Sequence, residues 1–269
     1  MTKPRTGRFP ASLDAVAPGA RAGAGATLRP QRPLAEAARD QRQQSTPTGL
    51  GLDGTAVRTR MVERLRADGV LSEPVLQAML AVPRHRFVDS ALANQAYEDT
   101  SLPIGLGQTI SKPSVVARML EWCFLGETAR ARGHLGKVLE IGTGCGYQAA
   151  VLAALSRHVV SIERLGPLHQ LARSHLGTLG VHHVRLIHGD GMRGHAPGGP
   201  YDTIVAAAGG EDLPAAWLDQ LALGGRLVAP ALAADGRSQV LVIVDRRADG
   251  WQRTVGETVQ FVPLKSGIA

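Results

Sequence analysis

Three glycines at alternate positions, Gly142, Gly144 and Gly146, follow directly after a short apolar run. That run, residues 138–141, contains Glu140 and is too short for a helical pattern, as is typical of a buried parallel strand. Alternating glycines let the backbone turn tightly with positive φ, and they let a ligand lie against bare main chain near the N–H groups of the next helix. The stretch therefore predicts a strand, loop and helix that bind a nucleoside.

Two acidic residues stand where later apolar runs end. Glu163 follows the run 158–162, about 20 residues after the glycines, where an acidic side chain would accept hydrogen bonds from both ribose hydroxyls. Asp190 follows the next run and is placed to meet an adenine amino group. Tyr147 takes the place of the third glycine in the dinucleotide fingerprint, which disfavours a nicotinamide oxidoreductase.

A segment rich in glycine and proline, residues 102–113, carries several polar groups close together, as a binding loop does. We expect it to be irregular. Apolar residues recur at helical spacing from Pro113 to Phe124, so Ser111 lies just before the N-terminus of a predicted helix, an end that attracts anions. The alternative role for Ser111 is simply to cap that helix.

These stretches together resemble the protein-L-isoaspartate O-methyltransferase family, which belongs to the class I S-adenosylmethionine-dependent methyltransferases. The resemblance runs from about residue 56 to the C-terminus. Its motifs are Val82-Pro83-Arg84-x-x-Phe87-Val88, Tyr97-x-Asp99, Leu102-Pro103-Ile104-Gly105-x-Gly107-Gln108-Thr109-Ile110-Ser111-x-Pro113, Val138-Leu139-Glu140-Ile141-Gly142-Thr143-Gly144-x-Gly146-Tyr147, His188-Gly189-Asp190-Gly191, Gly224-Gly225-Arg226-Leu227-Val228-x-Pro230 and Phe261-Val262-Pro263-Leu264.

The resemblance implies a cytosolic repair enzyme that methylates the misplaced α-carboxylate of L-isoaspartyl residues in damaged proteins and peptides. It implies that S-adenosyl-L-methionine is bound by Glu140, Gly142, Thr143, Gly144, Gly146, Glu163, Asp190 and Gly191. It further implies that Ser111 orients the substrate carboxylate, and that the substrate is held by Pro103, Ile104, Thr109, Ile110 and Val262. No metal is expected, because the nine histidines show no closed ligand spacing.

The order of predicted elements indicates an α/β fold with a doubly wound, mostly parallel Rossmann-like sheet and helices on both faces. Thr55 is a plausible N-cap for the first helix. The last two predicted strands, residues 239–244 and 254–261, form a C-terminal antiparallel hairpin with Asp249-Gly250 at its turn.

The charge and composition divide the chain at about residue 54. Residues 1–54 hold eight Lys or Arg and four Asp or Glu, so they account for +4 of the total net charge of +7. This stretch is rich in Ala, Gly, Pro and Arg and is predicted to be a disordered basic extension, with a weak anchor to an anionic surface as the alternative. Residues 55–269 form the predicted methyltransferase domain. We expect a cytoplasmic protein, because the sequence lacks a signal peptide or a membrane-spanning apolar run.

Two alternatives to a repair enzyme stay open. The positive net charge allows a methyltransferase that acts on RNA. The few aromatic residues are scattered along the sequence and form no stacking platform for bases, so no stable nucleic-acid partner is expected. The other alternative is a domain that binds S-adenosylmethionine without turnover. One departure from the family is the segment 206–211, where the added glycines Gly209 and Gly210 are expected to loosen the rim of the site.

Overall fold

The computed structural model describes residues 54–269, so the predicted extension at residues 1–54 lies outside the described residues except for Gly54. The helices are α1 (Thr55–Ala67), α2 (Glu73–Ala81), α3 (Pro113–Phe124), α4 (Glu127–Arg132), α5 (Tyr147–Leu155), α6 (Gly166–Thr178) and α7 (Ala215–Gln220). The strands are β1 (Leu102–Gly105), β2 (Gln108–Ile110), β3 (Lys137–Ile141), β4 (His158–Glu163), β5 (Val184–His188), β6 (Tyr201–Ala206), β7 (Leu221–Leu232), β8 (Gln239–Arg247) and β9 (Gly250–Val259). Within this part of the chain, no helix combines the length and apolarity needed to cross a membrane.

The main sheet has seven strands in the order β5-β4-β3-β6-β7-β8-β9. The five strands from β5 to β7 are parallel, whereas β8 runs antiparallel to both β7 and β9. The predicted mostly parallel sheet with a C-terminal antiparallel hairpin is therefore confirmed. The hairpin turn lies at the predicted place, since Arg247 pairs with Gly250.

Side chains of the central strands alternate between two apolar clusters, one on each face of the sheet. Val138 and Val159 belong to the cluster that contains helices α1, α2, α3 and α5. Leu139 and Ile162 belong to the opposite cluster, which contains Trp217 of α7. Both faces of the sheet are thus covered by helices, and the carboxyl ends of the parallel strands are left to form a site.

The proline- and glycine-rich segment is regular, contrary to the sequence expectation. Its strands β1 and β2 pair antiparallel, with Leu102 opposite Ile110. The tight turn between them is possible because Gly105 and Gly107 take positive φ values of 92° and 69°. Proline and glycine here shape a hairpin instead of preventing one.

The first helix begins one residue earlier than expected. Gly54 is its N-cap, and Thr55 is its first helical residue with no capping hydrogen bond from a side chain. The main-chain carbonyl of Thr55 accepts a hydrogen bond from the Thr59 hydroxyl at 2.9 Å. The predicted N-cap role of Thr55 is therefore wrong, although the predicted helix is present.

Candidate functional site

An open cavity lies at the carboxyl ends of β3, β4 and β6. The connection that follows β3 leads to β4 on one side, and the connection that follows β6 leads to β7 on the other. Such a switch point is the usual place for a ligand in an open α/β sheet. The empty volume, which includes its mouth, is about 1080 Å³. The lining residues are Ile104, Leu106, Gln108, Thr109, Ile110, Ser111, Val116, Ile141, Gly142, Thr143, Gly144, Cys145, Tyr147, Gln148, Ile162, Glu163, Arg164, Leu165, Leu168, Gly191, Ala207, Ala208, Val262, Pro263, Leu264 and Lys265.

The cavity brings together most of the residues that the sequence singled out. The exceptions are Glu140, Gly146, Asp190 and Pro103, none of which lines it. Pro103 is exposed on β1, and its neighbour Ile104 lines the cavity, because successive side chains of a strand point to opposite faces. The predicted substrate contact of Pro103 is therefore not supported by its position.

The glycine loop after β3 is fixed to the adjacent strand β4. Its three glycines take positive φ values of 89°, 55° and 92° at Gly142, Gly144 and Gly146. The Gly142 N–H donates to the carbonyl of Ile162 at 2.9 Å. A Cβ atom on Gly146 would lie 3.2 Å from the Cβ of Ala172, so Gly146 allows α6 to pack closely and does not face the ligand space. The first two glycines of the loop remain in the wall of the cavity.

Glu163 ends β4 and places a fixed carboxylate in the cavity wall. Its Oε2 accepts from the Gly144 N–H and its Oε1 accepts from the Leu165 N–H, each at 2.9 Å. Each carboxylate oxygen can accept a further hydrogen bond. Glu163 is thus oriented by the backbone and keeps acceptor capacity for a ligand.

Glu140 lies beneath the glycine loop, fully buried. The Ser161 hydroxyl donates to its Oε2 at 2.5 Å, and the hydroxyls of Ser161 and Thr143 are also 2.5 Å apart. Burial raises the pKa of Glu140 to about 8, so the side chain is largely protonated at neutral pH. The structure places Glu140 as a support for Thr143, in the second layer below the cavity wall.

Asp190 is held by two backbone N–H groups at the end of β5. Its Oδ1 accepts from Met192 N–H at 2.9 Å, and its Oδ2 accepts from Gly267 N–H at 2.8 Å. The next residue, Gly191, lines the cavity. Asp190 therefore faces the C-terminal segment, and its contact with adenine stays a prediction.

Ser111 is half-buried and lines the same cavity as the glycine loop. Within the described residues its hydroxyl makes no hydrogen bond, and Lys112, the N-cap of α3, offers no side-chain cap. The capping acceptor is Asp99, whose Oδ1 accepts from the Ser114 N–H and whose Oδ2 accepts from the Ser114 hydroxyl, each at 2.8 Å. Because Asp99 caps the helix, Ser111 is available for a ligand near a helix end that favours negative charge.

Arg84 packs against Tyr147 of the cavity wall, and the sequence did not predict a role for it in the site. The buried guanidinium lies 4.8 Å above the ring centre of Tyr147, which lines the cavity beside the glycine loop. Its Nε donates to the carbonyl of Ala96 at 2.8 Å and its Nη2 to that of Thr100 at 3.4 Å. Burial lowers the pKa of Arg84. The carbonyls it binds flank Asp99, so Arg84 also supports the cap of α3.

The rim after β6 is held firmly, which corrects the expectation that its glycines loosen it. Gly209 donates its N–H to the carbonyl of Val262 at 2.9 Å and accepts from the Leu264 N–H at 2.7 Å. The carbonyl of Gly210 accepts from the Leu232 N–H at 3.1 Å. A Cβ atom on Gly209 would lie 2.6 Å from Nε2 of Gln239, so glycine allows a close approach here.

Several lining residues were missed by the sequence analysis. Ala207 and Ala208 line the cavity because β6 is the neighbour of β3, and its end reaches the same edge. Gln148, Leu165 and Lys265 also line it. Ala207, Ala208 and Leu165 follow predicted strands, and this position could have indicated that they line the site. No local feature of the sequence indicated the same for Lys265.

Comparison with known proteins identifies the family of this chain. A family model described as protein-L-isoaspartate(D-aspartate) O-methyltransferase matches residues 56–269. Protein-L-isoaspartate O-methyltransferase of Methylibium petroleiphilum is 62% identical over 261 residues, which cover 97% of this chain and 96% of the relative. The protein of the same name from Leptothrix cholodnii is 56% identical over 273 residues, which cover 98% and 95% of the two chains.

Solved structures share the fold. One protein-L-isoaspartate O-methyltransferase superposes with a TM-score of 0.69 at 28% identity, covering 78% of this chain and 67% of that chain. A Plasmodium falciparum structure with a related name, solved with S-adenosyl-L-homocysteine, gives a TM-score of 0.65 at 24% identity and covers 77% and 98% of the two chains. By its sequence relatives and family match, this chain belongs to the protein-L-isoaspartate(D-aspartate) O-methyltransferase family.

Proposed function

We propose that this enzyme transfers a methyl group from S-adenosyl-L-methionine to the α-carboxylate of L-isoaspartyl residues in damaged proteins and peptides. The observation that carries the proposal is that one cavity is lined by the glycine loop, Glu163 and Ser111 together. Membership of the family supports the reaction. The product ester is open to attack by the neighbouring backbone nitrogen, which expels methanol and forms a succinimide. Water opens the succinimide at either carbonyl, which gives normal aspartate or returns isoaspartate for another round of methylation.

The residues of the cavity fit the cofactor. The loop gives bare main chain at Gly142 and Gly144, and Glu163 offers fixed carboxylate oxygens at the end of the next strand. We infer that these residues, with Thr143 and Gly191, hold the cofactor, and that Glu140 and Gly146 support the loop from behind. When bound, the cofactor supplies a methyl group activated by a positively charged sulfur.

The substrate side needs positioning more than acid–base chemistry. A carboxyl group with a reference pKa of about 4 is ionised at neutral pH, so it requires no general base. Correct orientation of the two reacting groups can supply about 7–11 kcal/mol of a reaction barrier. We infer that the Ser111 hydroxyl donates to the substrate carboxylate and fixes its direction.

The walls around Ser111 are suited to a peptide. Ile104, Thr109 and Ile110 come from the β1–β2 hairpin, and Val262 comes from the segment after β9. We infer that the substrate backbone lies between these two walls, with its modified residue directed at the methyl donor. The open mouth leaves room for the rest of a damaged protein chain.

The proposed activity is tested by labelled methyl transfer to an isoaspartyl peptide beside its normal aspartyl twin. We expect incorporation into the isoaspartyl peptide alone. Equal labelling of both peptides would contradict the proposed specificity. Transfer to RNA with neither peptide labelled would instead support an RNA methyltransferase, and binding of S-adenosyl-L-homocysteine without any transfer would support a non-catalytic domain.

We infer that residues 55–269 carry out the transfer without the preceding extension. Among the described residues 54–269, those that line the cavity fall between Ile104 and Lys265, and the family model starts at residue 56. A truncated chain that starts at Gly54 is expected to keep kcat/KM for the isoaspartyl peptide within about twofold of the full chain and to melt at a similar temperature. A large loss of either would show that the extension contributes to the domain.

We infer that the enzyme works in the cytoplasm. Both cysteines, Cys123 and Cys145, are unpaired and buried, as expected for a reducing compartment. Burial raises the pKa of Cys123 to about 12 and that of Cys145 to about 11. Both side chains therefore remain neutral thiols, and Cys145 takes no nucleophilic part in the transfer although it lies in the cavity wall.

A further inference from the structure

The segment after β9 follows the cavity from one end to the other. This segment, residues 262–269, is here called the strap. Near its start the strap is fixed to Gly209, which follows β6, by the two hydrogen bonds with Val262 and Leu264. Residues 262–265 then line the cavity. The start of the strap is therefore part of the cavity wall.

The far end of the strap is fixed to residues that follow β4 and β5. The Gly267 N–H donates to Oδ2 of Asp190 at 2.8 Å, and Nε of Arg164 donates to the Gly267 carbonyl at 3.1 Å. The Ala269 N–H donates to the Arg164 carbonyl at 2.8 Å, and the Ala269 carbonyl accepts from the Gly166 N–H at 2.7 Å. This is the end of the cavity where Glu163 and Gly191 lie.

The two ends of the strap differ in how firmly they are held. Leu264 packs against the buried cluster on one face of the sheet. Residues 265–269 are exposed, and the side chain of Ile268 keeps 59% of its accessible surface. With little apolar burial, the far end depends on its hydrogen bonds and is expected to open locally at a lower free-energy cost than the sheet.

Asp190, like the guanidinium of Arg164, is a charged anchor of the far end. Its bond with Gly267 involves a carboxylate and is therefore stronger than a bond between neutral groups. The bond from Met192 fixes the other carboxylate oxygen, so Asp190 holds its direction while the strap is released. The acid therefore connects the end of β5 to a segment that can move.

We propose that Asp190 is a positioning residue that holds the strap over the nucleoside end of the cavity, and that release of the strap sets how fast the spent cofactor leaves. The inference rests on the proposed cofactor site. It differs from a direct contact between Asp190 and adenine, because such a contact does not require the strap. Holding the strap and contacting adenine predict different dissociation rates for the variant in which both Asp190 and the strap are changed.

The experiment compares Asp190→Asn, a chain that ends at Ser266, and the combination of both. The asparagine keeps an oxygen that can accept from Met192 N–H, but its amide nitrogen cannot accept from Gly267 N–H. The rate at which S-adenosyl-L-homocysteine dissociates is measured by stopped-flow competition. We expect each single change to raise this rate about tenfold, equivalent to about 1.4 kcal/mol, and the combination to be no faster than the shortened chain.

Multiplied effects in the combination, or an unchanged rate in the shortened chain, would overturn the proposal. Asp235→Asn is the matched control, since Asp235 also accepts from backbone N–H groups, at Arg237 and Ser238, but in an exposed turn away from the cavity. Its dissociation rate is expected to equal that of the wild type. A full chain that binds no S-adenosyl-L-homocysteine would overturn the proposed function as well, whereas normal binding and methylation with unaltered rates in the strap variants would overturn this inference alone.

Discussion

Ser111→Ala is expected to lower kcat/KM for an isoaspartyl peptide roughly tenfold to a thousandfold, the range for loss of one positioning donor. The affinity for S-adenosyl-L-homocysteine and the melting temperature are expected to stay unchanged. The physical reason is that the Ser111 hydroxyl lies in the cavity wall and makes no hydrogen bond with the described residues, whereas Asp99 provides the cap of α3. Steady-state kinetics, calorimetry and a melting curve measure the three quantities.

A matched control lies three residues further along. Ser114→Ala removes a hydroxyl that donates to Asp99 at 2.8 Å and that does not line the cavity. Asp99 still accepts from the Ser114 N–H in this variant. The cost is therefore expected to be that of one hydrogen bond, about 0.5–1.5 kcal/mol of stability, with turnover nearly intact. The reverse pattern, an unstable but fully active Ser111→Ala beside an inactive Ser114→Ala, would rule out the positioning role of Ser111.

Ser111→Thr separates the hydroxyl from the shape of the pocket. Threonine keeps the donor but adds a methyl group to the wall of a cavity that Ile110 and Val116 also line. We expect the variant to retain more activity than Ser111→Ala. Its remaining loss of kcat/KM is expected to appear as a higher KM for the peptide. A Thr variant as poor as the Ala variant would indicate that space, and not hydrogen bonding, limits the reaction at this position.

The parts of the site that the sequence predicted are those fixed by local pattern. A short apolar run followed by alternating glycines needs no distant contact to identify β3 and its loop. Glu163 could be placed because the second parallel strand pairs directly with the first, Glu140 lying beside Ser161. Residues at the ends of neighbouring parallel strands reach one edge of a sheet, so the order of elements was enough to bring them together.

The parts that the sequence could not predict depend on tertiary contacts. The sequence shows that Glu140 lies within β3 and that Glu163 ends β4, but the burial of Glu140 beneath the loop depends on its contact with Ser161 of the neighbouring strand. The partner of Asp190 is Gly267, 77 residues away along the chain. The role of Arg84 follows from its stacking on Tyr147, and no rule of sequence spacing relates these two residues. Such contacts are decided by packing after the sheet has formed.

Glu163→Ala is expected to weaken binding of S-adenosyl-L-methionine and its spent product by at least roughly tenfold. If Glu163 accepts two hydrogen bonds from ribose hydroxyls, each bond to a charged acceptor contributes about 1.5–3 kcal/mol before compensation. The change also leaves the Gly144 N–H without its acceptor, which loosens the glycine loop. Calorimetry measures the affinity, and Glu163→Gln, which keeps one acceptor oxygen, is expected to fall between the Ala variant and the wild type.

Glu121→Ala provides the control that separates ligand binding from backbone support. Glu121 is also nearly buried, and its Oε1 accepts from the N–H groups of Leu71 and Ser72, but it does not line the cavity. Both alanine variants are therefore expected to lose stability, because each leaves two backbone donors without their acceptor. Only Glu163→Ala is expected to lose cofactor affinity. If the two variants lose equal stability and neither loses affinity, the carboxylate of Glu163 supports the loop alone, and the ribose must be held by another group in the cavity.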